Sequence, residues 1–356
     1  MTDYSSNRNT DCRIFEFYHK DLRIVSLENN SIRISILLDK GADIIEIRYK
    51  PLDIDFMWRT PGWIRQTTKF IPSSSSMSGN FMDYYEGGWQ EILPGGGPFN
   101  YLGAEMGHHG EACMIPWDFT VLEDKAEKII VKVTCNTIRF PFTIKKIITM
   151  QKDSGIIEIN ETLANNSPDN LEFMWGQHPA FGEPFLDEGC IINTTAEKFI
   201  STGKNLFPFS HFPENFSGNW PIAKKENGME IDLSVIPPKD ANVSDLFYLY
   251  DLKEGWYSIT NSRLKIGFGL IWDLDLFPYL WYWQVCKGSS GYPLFNRTYN
   301  VALEPWTSFP DSFIESRKNN TVKKIKGFEE INTNYKIVIF SGFEKVKNIS
   351  KRGIVT

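Results

Sequence analysis

Short apolar runs that alternate with polar residues, separated by Gly, Asn and Asp turn chemistry, dominate this chain. The stretch "KIIVKVTCNTIRFPFTIKKIITMQKDSGIIEINETLANNS" (residues 128–167) reads as three strands, broken near Arg139–Pro141 and at Asp153-Ser154-Gly155. Ile129, Val131 and Val133 alternate with Lys132 and Thr134, which is the signature of a strand buried on one face. "SIRISILLDKGADIIEIRYK" gives two strands around Asp39-Lys40-Gly41, and "GWYSITNSRLKIGFGLIW" gives two around Asn261-Ser262. "NYKIVIF" is a further strand near the end. Amphipathic helices are nearly missing; "PDSFIESRK" is the best candidate and it is short. Many strands at short spacing predict an all-β sandwich or barrel. Neither a composition shift nor a repeat divides the chain, so residues 1–356 are expected to form a single β-domain. "IPSSSSMSGNFMDYY" (residues 71–85) reads as an exposed surface loop, with a lid as the alternative.

Composition narrows the function classes. The formal charge is −6 without a basic cluster, which argues against nucleic acid and anionic membranes as partners. No run of about 18 apolar residues occurs, so no membrane span is expected. The five cysteines are scattered and form no C-x-x-C pair; that pattern fits a reducing compartment, the cytoplasm, better than a disulfide framework. The N-terminal stretch lacks the apolar core of a secretory signal. The aromatic share is 14%, with eleven tryptophans. Exposed aromatics suit a neutral polar ligand with apolar faces, such as a sugar, although buried aromatics are commoner.

Nucleotide chemistry finds no support. There is no P-loop, no G-x-G-x-x-G between strand and helix, and no G-x-S-x-G. "LPGGGP" (residues 93–98) ends in proline with no helix after it, so it reads as a turn. "GHHGEA" (residues 107–112) invites a metal site from His108, His109 and Glu111. In an extended segment, however, adjacent histidines point to opposite faces and cannot share an ion. One histidine lining a pocket while the other packs or stays exposed is the preferred reading, with no metal.

Two further stretches share a form. "EFMWGQHPAFG" (residues 172–182) carries His178 before Pro179, and "NVALEPWTSFPD" (residues 300–311) carries Glu304 before Pro305. Each places a titratable residue at what reads as a strand end, where proline stops the ladder and turns the side chain to the rim of the sheet. Taken singly, His178 is as well explained as a hydrogen-bonded core residue, and Glu304 as an exposed acid or a partner of Arg297. Together they make an acid–base couple. With ordinary pKa values near 6.5 and 4.3, one is cationic and the other anionic at roughly pH 5–6. Across a sugar ring, the carboxylate would take the anomeric hydroxyl proton while the imidazolium protonates the ring oxygen. The ring opens, the carbonyl carbon rotates, and reclosure yields the other anomer. No cofactor is required.

"WGQHPAF", "LEPWTS", "GGWQEILP" and "GHHGEACMIPWDF", spread between about residue 80 and 310, together resemble the aldose 1-epimerase (galactose mutarotase-like) superfamily, and within it a bacterial branch of sugar epimerase-like proteins. The resemblance implies a large antiparallel β-supersandwich with an open groove and few short helices. It implies His178 as general acid and Glu304 as general base, with His109 touching ring or hydroxyl oxygens. Asp245 in "SDLFYLYDL" falls where the family places a sugar-binding aspartate, with Asp251, Asp273 and Asp275 as competitors. Trp281 and Trp283 in "FPYLWYWQ" precede the base as a pocket-lining strand would, and alternation puts both on one face opposite Tyr282 and Gln284. Core packing is the other reading of both tryptophans. Galactose mutarotases grip the sugar with an Asn-Arg pair; here the comparable stretch is Gly88-Trp89-Gln90-Glu91, with Gln90 the substituting contact. Cys113 stands where a sugar-phosphate branch has an arginine. Gln177 is either a second sugar contact or a strand residue facing away.

The expected protein is thus a cofactor-independent aldose 1-epimerase, acting on an aldohexose or its phosphate as a monomer or homodimer. Two alternatives compete: a carbohydrate-binding or sensor protein on the same fold, and a glycoside lyase or hydrolase. The last needs a second carboxylate facing Glu304, for which Glu91 is the candidate.

Overall fold

Alternation of burial along the strands builds two antiparallel sheets whose apolar faces meet. In a computed structural model, residues 8–66, 79–204, 206–225 and 228–356 are described. Chain order gives β1 (Arg13–His19), β2 (Leu22–Glu28), β3 (Ile32–Leu37), β4 (Asp43–Tyr49), helix α1 (Gly79–Tyr84) and β5 (Trp89–Ile92). Then come β6 (Asp118–Asp124), β7 (Lys128–Asn136), β8 (Phe142–Gln151), β9 (Ile156–Asn165), β10 (Gly176–Gly182) and β11 (Ile191–Thr194). The remainder is β12 (Val243–Tyr250), β13 (Trp256–Asn261), β14 (Ile266–Trp272), β15 (Tyr279–Cys286), β16 (Tyr299–Trp306), helix α2 (Phe313–Lys318) and β17 (Glu330–Ser341).

Among the described residues, the larger sheet has twelve strands and runs β1-β2-β3-β4-β5-β10-β16-β15-β12, continuing through Lys198–Ser201 and Ser217–Asn219, with Ile54–Asp55 pairing β4 to one side. The smaller has eight, in the order β11-β13-β14-β17-β9-β8-β7-β6. All three strands expected over 128–167 form, as do both turns at 39–41 and 261–262 and the helix at 313–318. On β7, Ile129, Val131, Val133 and Cys135 are buried and the residues between them are half-buried. The all-β sandwich expectation therefore holds. The surface-loop expectation for 71–85 does not hold throughout. Residues 71–78 lie outside the described residues, while α1 occupies the rest and inserts Phe81, followed by the buried Tyr85.

The register of the larger sheet decides which side chains share a face. Gly176 pairs with Trp306 and Ala180 with Ala302, so His178 comes opposite Glu304 across β10 and β16. On its other side His178 pairs with Gln90 of β5. Contrary to expectation, neither residue ends its strand: both are interior, and Pro179 and Pro305 are interior with them. Proline is accepted here because the β10–β16 ladder is interrupted between Gly176 and Ala180, where no backbone donor is required. The two faces are distinguished by contacts with the smaller sheet. Gln177 reaches Glu161 of β9 at 3.3 Å, and Lys146 of β8 bonds Glu91. Gln177 and Glu91 therefore point inward, and the period of two turns His178, Gln90 and Glu304 to the outer face.

Gly176 is required by close approach. A Cβ built on it lies 2.3 Å from the Trp306 ring, which is fully buried and stacked on Trp281 at 3.9 Å. Gly176→Ala is expected to cost about 1–3 kcal/mol by overpacking, read as a lower denaturant midpoint at unchanged slope. An unshifted midpoint would show that the Trp306 ring is free to move.

Candidate active site

His178 and Glu304 meet on the outer face. Nε2 of His178 lies 3.4 Å from Oε1 of Glu304, and the indole N–H of Trp306 donates to the other carboxylate oxygen at 2.9 Å. On the opposite edge of the imidazole, Nδ1 lies 3.4 Å from the Tyr85 hydroxyl. The histidine is thus held between an acid and a phenol. His109 stands beside it, with ring centroids 5.3 Å apart, and Trp283 closes another side at 5.9 Å.

The resemblance implied an open groove, but the pair is covered. His178 is 5% exposed and Glu304 2%. Phe81 stacks on Tyr85 at 4.8 Å, and Trp58 stands edge-on to both Tyr85 and Trp283. Gly87 and Gly88 make this roof possible. Both have φ in the left-handed region, and a Cβ on either would come within 2.5 Å of a carbonyl oxygen, of Trp58 and Ile44 respectively.

Burial also corrects the expected charges. Desolvation lowers His178 to about 4 and raises Glu304 to about 8, the latter only partly offset by the Trp306 hydrogen bond. An isolated charge in this setting is expensive. From mildly acidic to neutral pH the ligand-free pair is therefore neutral rather than imidazolium and carboxylate. Its one titratable proton sits on Glu304, whose Oε1 lies 3.4 Å from Nε2.

The two adjacent histidines do not diverge as an extended segment would make them. His109 has φ 64° and belongs to a turn, so both rings lie together with centroids 3.8 Å apart. Burial pushes both below the ordinary histidine value, His108 to about 4. Among the described residues, Nδ1 of His109 is buried without a hydrogen-bond partner, and so is Oε1 of Gln90, whose amide donates to Gly87. Among the described residues, no group of three or more His, Cys, Asp or Glu side chains is arranged to hold a metal.

Three sequence candidates belong elsewhere. Gln177 faces inward, accepting from Trp89 at 2.8 Å and donating to Glu91 at 2.8 Å. Strand alternation excludes it from the His178 face. Glu91 is the inward neighbour of Gln90, so it cannot serve as a second carboxylate toward Glu304. Asp245 pairs with Gln284 across β12 and β15 and shares its face, opposite the Trp281–Trp283 row. There it accepts from Ser210 and from Gln284 at 3.1 Å, and burial raises its pKa to about 6. Conversely, sequence reasoning missed Tyr85, Phe81 and Trp58. Tyr85 had a signal: it immediately precedes the Glu86-Gly87-Gly88 run that the motif "GGWQEILP" begins in.

The chain also has identifiable relatives. A family model described as Domain of unknown function (DUF4432) matches residues 19–219. The chain belongs to that family. Among curated proteins none matches its sequence. Its fold is shared with solved structures. A candidate aldose 1-epimerase from Klebsiella pneumoniae subsp. pneumoniae superposes with TM-score 0.70 at 15% identity, covering 93% of this chain and 84% of that one. A galactose mutarotase-like protein from Clostridium acetobutylicum gives 0.63 at 15%, covering 93% and 99%. A galactose mutarotase related enzyme from Lactobacillus acidophilus gives 0.59 at 18%, covering 94% and 100%. The DUF4432 chain thus has the galactose mutarotase-like fold.

The pair's protonation is directly observable. In 15N-detected titrations of the free protein, the His178 imidazole is expected to stay neutral at pH 6 and to titrate near 4. A midpoint at the ordinary 6.5 would show that the pair is hydrated and the charge assignment wrong.

Proposed function

We propose that this protein is a cofactor-independent isomerase that interconverts the anomers of an aldose, with His178 and Glu304 as its acid–base couple. The 3.4 Å approach of these two groups on one face carries the reading. As a sugar settles with its ring-oxygen edge against the pair, the one titratable proton passes from Glu304 to His178, so that the sugar meets imidazolium and carboxylate. His178 gives its proton to the ring oxygen as the C1–O bond to that oxygen breaks, and Glu304 takes the proton of the anomeric hydroxyl. The open-chain aldehyde then faces neutral histidine and protonated glutamate. That is the protonation state which burial favours in the free pair, so the site's low polarity supports the intermediate. Rotation about C1–C2 and reclosure return both protons and complete the exchange. His109 and Gln90, each with an unpartnered polar atom, are the proposed hydroxyl contacts, and Trp283 the apolar ring face. Among the described residues, the side chains with hydrogen bonds or ring contacts to the pair are Tyr85, His109, Trp283 and Trp306. None of these is a cation, which favours an unphosphorylated aldose.

Glu304→Gln is expected to keep the fold and lower anomer exchange by about 10²–10⁴-fold, with His178→Asn behaving alike. NMR saturation transfer on glucose, galactose and their 6-phosphates measures it; normal exchange in Glu304→Gln would end the assignment.

The couple holds one proton between about pH 4 and about pH 8. Below that window no base remains, and above it no acid. Turnover should therefore be flat across the window and fall about tenfold per pH unit on either side. A single limb near 6.5 would contradict this.

A further inference from the structure

The outer face of the larger sheet carries a second recess, on β1–β4. With the segment 59–64 these strands enclose about 570 Å³, within the range of small-molecule sites. Its floor is polar. The hydroxyls of Ser26 and Ser35 lie 2.7 Å apart, Ser35 donates to Glu46 at 2.8 Å, and Arg33 forks onto the same carboxylate at 3.0 and 3.1 Å. Its walls are aromatic, with Phe17, 45% exposed, on β1 and Trp63 beyond β4.

The charges in the recess are already matched. Arg33 pairs with Glu46, Glu28 with Arg13 and Lys50, and Arg59 with Asp55. Among the described residues a charged ligand finds no free counter-ion here, whereas hydroxyl groups find donors and acceptors side by side. Two details mark the recess as built for a ligand. Nε2 of His19 is buried within it and has no hydrogen-bond partner among the described residues, so a ligand hydroxyl there would satisfy it. Trp63 is held at φ 49°, a conformation bulky residues adopt only under constraint. The constraint is a turn on Thr60, whose carbonyl and hydroxyl both accept from the Trp63 N–H, with the Arg59 guanidinium 4.4 Å from the indole centroid.

We propose that this recess is a second carbohydrate-binding site, for a neutral saccharide that lays apolar ring faces on Phe17 and Trp63 and bonds its hydroxyls to Arg33, Glu46 and His19. It adjoins the first site through consecutive residues: Trp58 walls the His178–Glu304 pair and Arg59 the recess. The choice of saccharide over another neutral polar ligand rests on the sugar reading of that pair.

The test uses the full chain on an array of neutral oligosaccharides, with calorimetric titration of those retained and sedimentation to fix the oligomeric state. The wild type is expected to bind, and Phe17→Ala and Trp63→Ala to weaken binding at least tenfold while anomer exchange of glucose and galactose is unchanged. Phe17 is exposed, so its variant folds even if Trp63→Ala does not. Absence of glycan binding, or binding indifferent to both variants, overturns the proposal. So does a dimer that Phe17→Ala dissociates, which would make the face a subunit interface. Failure of the isomerase reading is separate: it appears as no anomer exchange in the wild type, whatever the array shows.

Discussion

The candidate site depends on one register, that of β10 against β16. A slip of a single residue would send His178 into the interior and bring Gln177 to the outer face. What opposes it is the inner side of β10 and of its other neighbour, β5. Gln177, Glu91, Glu161 and Lys146 form a polar network between the sheets, with the Trp175 and Trp89 indoles donating into it. A buried network of this kind gives little stability in itself, since desolvation of its charges offsets their attraction. Its geometry is nevertheless unforgiving, because any other register would strand a lysine and two carboxylates without partners. The chemistry on one face is thus aligned by the hydrogen bonds on the other.

A second buried lysine braces the roof. Lys40 sits in the β3–β4 turn and contacts Asp43 at 2.9 Å and Glu86 at 2.9 Å. Glu86 follows Tyr85, the residue that touches Nδ1 of His178. The same turn is tied to the segment after His109, through Gly41 N–H to the Ile115 carbonyl. The Tyr85–Glu86 segment is therefore tied to this turn by the lysine, and the segment after His109 by a backbone hydrogen bond. Removing water from this region is what moves the His178 and Glu304 protons, so the roof and the acid–base properties have a common origin.

Much of this architecture is legible in the chain. Period-two alternation reveals the strands of residues 31–50, 128–167 and 255–272, and the shared titratable-residue-then-proline form points to His178 and Glu304 as a couple. Alternation also assigns Trp281 and Trp283 to one face. The departures have a common cause. Asp245 and Gln177 lie near the right positions in sequence but on the wrong face, and a face is known only once neighbouring strands are paired. His108 and His109 would diverge in an extended segment, while a single positive φ brings their rings together.

What the amino-acid sequence determined by itself is local: where strands begin and turn, which positions alternate, and which few residues could exchange protons. Those properties follow from backbone preferences and from the chemistry of each side chain. Tertiary structure alone decided that His178 and Glu304, 126 positions apart by number (304 − 178), stand 3.4 Å from one another. It decided too that the couple is neutral when free, because ionisation depends on how much water the surrounding aromatics exclude. No local pattern encodes that exclusion; it arises only when Phe81, Tyr85, Trp58 and Trp283, from separate parts of the chain, close over the pair.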